Sequence, residues 1–85
     1  MELLVRNKVQ DFDVWRRVFD TQTGAARASG LTLARMWRSG DDPNNVSFLF
    51  TVEDRGRAEA FMHTPEAEAT GREAGVIDGE YHFFT

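Results

Sequence analysis

Apolar and polar positions follow two different periods along this chain, and the changes of period divide it into elements. Glu2 to Lys8 carries Leu3, Leu4 and Val5 at its centre and reads as a strand. It lacks clean alternation, as a strand covered on both faces would. From Asp11 the period becomes helical: Phe12, Trp15, Val18, Phe19, Gln22 and Ala26 share one face, and Arg16, Arg17, Asp20 and Arg27 the other. Asp11 is a natural N-cap, Asp13 adds first-turn charge, and Asp13 to Arg17 has the spacing of a helical ion pair. Gly24 weakens the last third, and Gly30 is a C-terminal stop. Leu31 to Ser39 alternates again, with Leu31, Leu33, Arg35 and Trp37 on one face and Thr32, Ala34, Met36 and Arg38 on the other. Turn formers fill Gly40 to Asn45, and Val46 to Val52 is a third strand completing a hairpin.

Asp54 caps a second helix that turns Ala58, Phe61 and Met62 inward. Thr64-Pro65-Glu66 is a fresh helix start, so this region is predicted as two helical pieces with a kink near His63 and Thr64. Gly71 and Gly75 limit the second piece, and Tyr81 to Phe84 is the last strand. The order is β-α-β-β-α-β. Two right-handed crossovers and a hairpin give an α+β, ferredoxin-like fold: a four-stranded antiparallel sheet with both helices on one face. No repeat or linker interrupts it, so residues 1–85 are expected to form one domain.

Composition narrows the function. The 85 residues carry 10 Lys and Arg against 14 Asp and Glu, a net charge of −4, which argues against a general nucleic-acid partner. There is no cysteine, which excludes a disulfide framework, a thiolate metal site, an iron–sulfur cluster and a cysteine nucleophile. Apolar runs reach only three residues, too short for a membrane span or a signal peptide, so a cytoplasmic protein without membrane attachment is expected. The third strand lacks the basic and glycine positions of an RNA-recognition motif. No glycine-rich phosphate loop and no nucleophile elbow occurs. A chain this short can hold a core but hardly a roomy cavity as well, which places a small-molecule site near or between subunits.

Two helices cover only one face of four strands. The other face carries large apolar groups under either assignment: Phe48, Phe50 and Trp37, or Leu49 and Met36. Such a patch calls for a partner surface, and sheet-to-sheet homodimerisation is the simplest one.

The run from Val9 to Asp20, with Ala28-Ser29-Gly30-Leu31, Arg38 to Asn44, Ala60 to Glu66 and Ala74 to Ile77, resembles the dimeric α+β-barrel superfamily, which includes small antibiotic-biosynthesis monooxygenases and polyketide cyclase-like proteins. The resemblance spans nearly the whole chain. It implies a homodimer with face-to-face sheets and a cavity beside each sheet. Heme-degrading members pair an asparagine with a tryptophan and a histidine; Asn7 matches, but Phe61 and the neighbourhood of Gly71 stand at the other two positions. No heme, other cofactor or metal is therefore expected.

Candidate site residues follow. His82 and Asn7 are the catalytic candidates, a proton-transfer group and a hydrogen-bonding group beside a cavity. Arg35, Trp37, Phe48, Phe50, Tyr81 and His63 are the ligand-binding candidates, aromatic faces for a planar molecule with a cation for a phenolate or carboxylate. His63 also reads as a solvated helix cap. Trp37 is the expected fluorescent reporter of the cavity, with Trp15 locked in the core. Two functions fit best: a cofactor-independent oxygenase or cyclase acting on an aromatic or polyketide-like substrate, or a non-catalytic dimeric ligand-binding or structural module; a regulatory ligand-binding domain of the same topology is a third, which the short chain counts against.

Overall fold

The computed structural model describes all 85 residues. Its elements are β1 (Glu2–Val9), α1 (Phe12–Ala28), β2 (Leu31–Arg38), β3 (Asn45–Val52), α2 (Arg55–Met62), α3 (Pro65–Glu73) and β4 (Val76–Phe84). All four strands join one antiparallel sheet in the order β2-β3-β1-β4. That order and the helices on one face make the ferredoxin-like α+β fold that the periodicity predicts.

Local chemistry explains the element ends. Asp11 caps α1, its carboxylate accepting from Asp13 N at 2.9 Å and Val14 N at 3.3 Å. Gly30 ends it at φ 82°, where a side chain would be strained and would also press on Glu53. The predicted Asp13–Arg17 pair does not form; Arg16 bonds Asp20 at 3.0 Å instead. The kink is a true break: Thr64 Oγ1 accepts from Ala67 N at 3.0 Å, and Pro65 opens α3.

The core lies between α1 and the sheet. Trp15, only 2% exposed, stacks on Phe19 at 4.9 Å and meets Phe48 at 5.5 Å. Phe48 in turn meets Phe50 edge-on at 5.6 Å. The apolar stripe of α1 therefore packs on the apolar face of β3, as the two periods require.

Two bulges change which residues share a face. Leu33 pairs with Phe50 and Arg35 with Leu49, so Ala34 is an extra residue in β2. An extra residue inverts the alternation beyond it. Met36, not Trp37, thus joins Phe48 and Phe50 under the helices, while Arg35 and Trp37 lie on the open face with Leu49. This corrects the face assignment predicted for the second half of β2. In β4 the irregularity falls at Ile77, which is 60% exposed, and the strand begins at Val76 rather than Tyr81.

The hairpin loop is tied to the start of α1. Asn44 Oδ1 accepts from Phe12 N at 3.0 Å, Asn44 Nδ2 donates to Gln10 O at 3.3 Å, and Val9 N donates to Asn44 O at 2.8 Å. Lys8 pairs with Asp42, and that bond, followed by one from Asn44 N, holds the Asp42 carboxyl below its ordinary pKa. The Arg38 guanidinium lies 3.9 Å from the centre of the Phe12 ring.

Candidate ligand cavity

On α3, Ala67, Thr70, Gly71 and Ala74 fall at i, i+3, i+4 and i+7, one face of the helix. All four line a cavity between the helices and the sheet. Small side chains on the helix that covers the sheet leave space that Leu or Phe would fill. The space measures about 520 Å³ and has 21 lining residues, 15 of them hydrophobic. This lies within the usual range of small-molecule pockets, roughly 300–1,000 Å³. The cavity belongs to a single chain, which corrects the expectation that so short a chain has no room for one.

Its floor is the helix-facing side of the sheet: Leu3, Val5 and Asn7 from β1, Leu31 and Leu33 from β2, Phe48 and Phe50 from β3. Trp15, Val18 and Phe19 of α1 and Phe61 and Met62 of α2 form further walls. Asn7 is the one polar residue of the sheet floor. Across the β1–β4 pair it faces Gly79, where a Cβ would stand 2.7 Å from Asn7 Oδ1. Glycine at 79 thus makes room for the Asn7 amide, whose side chain bonds to no other residue of the chain.

The structure divides the other candidates. Phe48 and Phe50 line the cavity with Asn7. Tyr81 and His63 meet each other, Tyr81 Oη lying 3.1 Å from His63 Nε2, but neither lines the cavity. Tyr81 is paired with the floor residue Val5, and His63 caps α2 directly after the wall residue Met62. Arg35, Trp37 and His82 are elsewhere. The Arg35 guanidinium sits 4.8 Å from the Trp37 ring on the open face. His82 pairs with Leu4, and its side chain, 61% exposed, lies 3.7 Å from Glu80 on that same face. His82 does not border the cavity as expected, and Trp15 rather than Trp37 is the tryptophan that does. Thr70, Gly71, Gln22, Thr23 and Arg27 line the cavity without being expected as site residues; the small-residue spacing of α3 points to Thr70 and Gly71, and the inward stripe of α1 to Gln22.

The open face is a mixture of apolar and charged groups. Arg6 donates to Glu80 at 2.7 Å, Asp78 at 3.1 Å and Asn45 at 3.0 Å. The Glu80 bond, then the Asp78 bond, raises the Arg6 pKa, and the Arg6 bond lowers that of Glu80. Around this network stand Leu4, Leu49, Trp37 and Phe84, the last two 37% and 52% exposed.

No cluster of three or more histidine, aspartate or glutamate side chains has the geometry of a metal site. No histidine lines the cavity, so its residues do not fit an iron-ligated heme. Phe61 and Gly71 are both wall residues. No helix is long and apolar enough to cross a membrane.

No protein-family model matches the chain, and no curated protein matches it. Solved structures do. An antibiotic biosynthesis monooxygenase superposes with a TM-score of 0.71 at 16% identity, covering 99% of this chain and 95% of that one. A variant of SnoaB, a cofactor-independent oxygenase from Streptomyces nogalater, gives 0.74 at 18% identity, covering 99% and 89%. A conserved protein from Methanosarcina mazei gives 0.71 at 9% identity, covering 95% and 86%. At such identities the likeness is one of fold, and the fold of this chain is that of the antibiotic biosynthesis monooxygenase-like proteins.

Proposed function

We propose that the protein is a small cytoplasmic homodimer that binds a planar aromatic or polyketide-like molecule between its sheet and helices and oxygenates it without a cofactor. The cavity carries this reading: about 520 Å³, mostly apolar, with one free amide on its floor. Its similarity in fold to a cofactor-independent oxygenase supports the reaction class.

The chemistry asks little of the protein. An anthrone-type substrate loses a ring proton to give an enolate, and the enolate supplies the electrons that reduce O₂. One oxygen atom stays on the ring as a carbonyl, the other leaves as water, and no external reductant is consumed. A dry wall of Trp15, Phe19 and Phe48 would orient the ring. The Asn7 amide would donate to the developing oxyanion. No carboxylate, tyrosine or histidine lines the cavity. That favours a substrate acidic enough to ionise with minimal help, and it is also the observation behind the second reading, a non-catalytic ligand-binding dimer.

The open face supports the dimer. Leu4, Leu49, Trp37 and Phe84 form an apolar surface that the helices cannot cover, and a second copy would bury it. Sedimentation equilibrium should give about twice the 9.7 kDa chain mass; a monomer at micromolar concentration would refute the dimer. Turnover of anthrone and quinol substrates should fall by about 10²-fold in Asn7→Ala. It should stay within about threefold in His82→Ala, since His82 lies across the sheet from the cavity. No turnover, with tight binding of aromatic ligands, would establish the second reading.

A further inference from the structure

The lining of the cavity is chemically uneven along α1. Trp15, Val18 and Phe19 supply the wall in the first half of the helix; Gln22, Thr23, Ala26 and Arg27 supply it in the second. Thr70 of α3 adds a hydroxyl to the lining. Arg27 is the only charged residue among the 21 lining residues, and none of the 14 Asp and Glu is among them. In a chain of net charge −4 this runs against the overall balance.

Of the helical arginines only Arg16 and Arg55 are paired with an acid, and Arg27 is among those left free. Arg16 and Arg55 each bond an acid one turn further on, Asp20 at 3.0 Å and Glu59 at 2.7 Å. The residues one turn from Arg27 are Thr23 and Leu31, neither of which can neutralise it. Its guanidinium makes no ion pair within the chain.

We propose that the cavity selects planar aromatic carboxylic acids, the rings lying against Trp15, Phe19 and Phe48 and the carboxylate meeting Arg27. This rests on the cavity being the ligand site. The helical rise puts Phe19 and Arg27 roughly 12 Å apart along α1, a span suited to two or three fused rings with one acidic substituent. A guanidinium recognises a carboxylate with two parallel hydrogen bonds, which a neutral ester cannot reproduce. Arg27 is exposed, so the preference is expected to be moderate and sensitive to salt.

The test uses a Trp37→Phe background, in which Trp15 is the only tryptophan, and follows quenching by anthracene-9-carboxylic acid and by its methyl ester. At low salt the acid should bind about three- to tenfold more tightly than the ester. Arg27→Gln should abolish that difference and leave ester affinity within about twofold; Arg27→Lys should keep part of it. Raising the salt should shrink the preference in the parent and not in Arg27→Gln. Equal affinity for acid and ester in the parent, or equal loss of both in Arg27→Gln, would overturn the proposal while leaving the cavity a ligand site. Failure of both compounds to bind would overturn the proposal together with the reading beneath it.

Discussion

Gly79→Ala tests whether the Asn7 amide does chemistry. The new methyl would stand 2.7 Å from Asn7 Oδ1 and 3.2 Å from the Arg6 carbonyl oxygen, where ordinary contact begins at 3.4 Å. The Asn7 side chain must therefore swing aside, while the Arg6 carbonyl needs a shift of only a few tenths of an ångström. An off-rotamer asparagine costs about 0.5–1.5 kcal/mol, and one extra methyl in a tight contact about 1–3 kcal/mol. Replacing glycine returns about 0.4–1 kcal/mol by restricting the unfolded chain. The net loss should be roughly 0.5–4 kcal/mol, below the roughly 5–15 kcal/mol of a domain of ordinary stability. Turnover should fall by about 10²-fold, since a donor aimed at a developing oxyanion has been moved. Urea melts with turnover of an anthrone substrate would measure both. In an Asn7→Ala background the obstacle is gone, so Gly79→Ala should then be nearly neutral for stability and turnover alike. Normal turnover in a folded Gly79→Ala protein would show that Asn7 has no part in the reaction. An undiminished stability cost in the Asn7→Ala background would show that the backbone, not the amide, occupies the space.

Gly24→Ala should stabilise the protein by about 1 kcal/mol, since no atom lies within 4 Å of the added methyl and the site is inside a helix; a thermal melt should rise by roughly 4–8 °C. Glu80 has its pKa lowered by Arg6, so its contribution to stability is complete above its ordinary value of 4.5 and disappears as pH falls through the lowered one. Glu80→Gln should accordingly lose stability at pH 7 and show a shallower decline than the parent below about pH 4.5, in urea melts taken across pH.

Periodicity carried most of the fold, because strand alternation and the α1 stripe are local patterns that burial then obeys. Trp15 and Ala58 are buried where the pattern puts them, and the burial of Phe48 decides which face of β3 the helices cover. The site was less legible, for reasons that can be named. Ala34 inverts the alternation of β2, and nothing about an alanine in that strand marks a bulge. Trp37 and Arg35 consequently left the cavity side. The facing of Tyr81 and His82 depends on the register of β4 against β1, a long-range property that neither strand encodes alone. The cavity arises from what α3 lacks, the bulk that Ala67 and Gly71 do not supply, and a search for reactive residue types passes over small ones.

The position of β1 in the sheet has a consequence for biosynthesis. β1 is a central strand, held by β3 on one side and β4 on the other. Arg6 and its partner Glu80 are 74 residues apart in sequence. At ordinary elongation rates of about 5–20 residues per second, the nascent β1 waits roughly 4–15 s for β4. Throughout that interval its backbone on the β4 side is an unpaired edge, next to Leu3 and Val5, open to strands of neighbouring nascent chains. Translation speed and the supply of chaperones that shield such edges should therefore govern the soluble yield of this protein more than its final stability does.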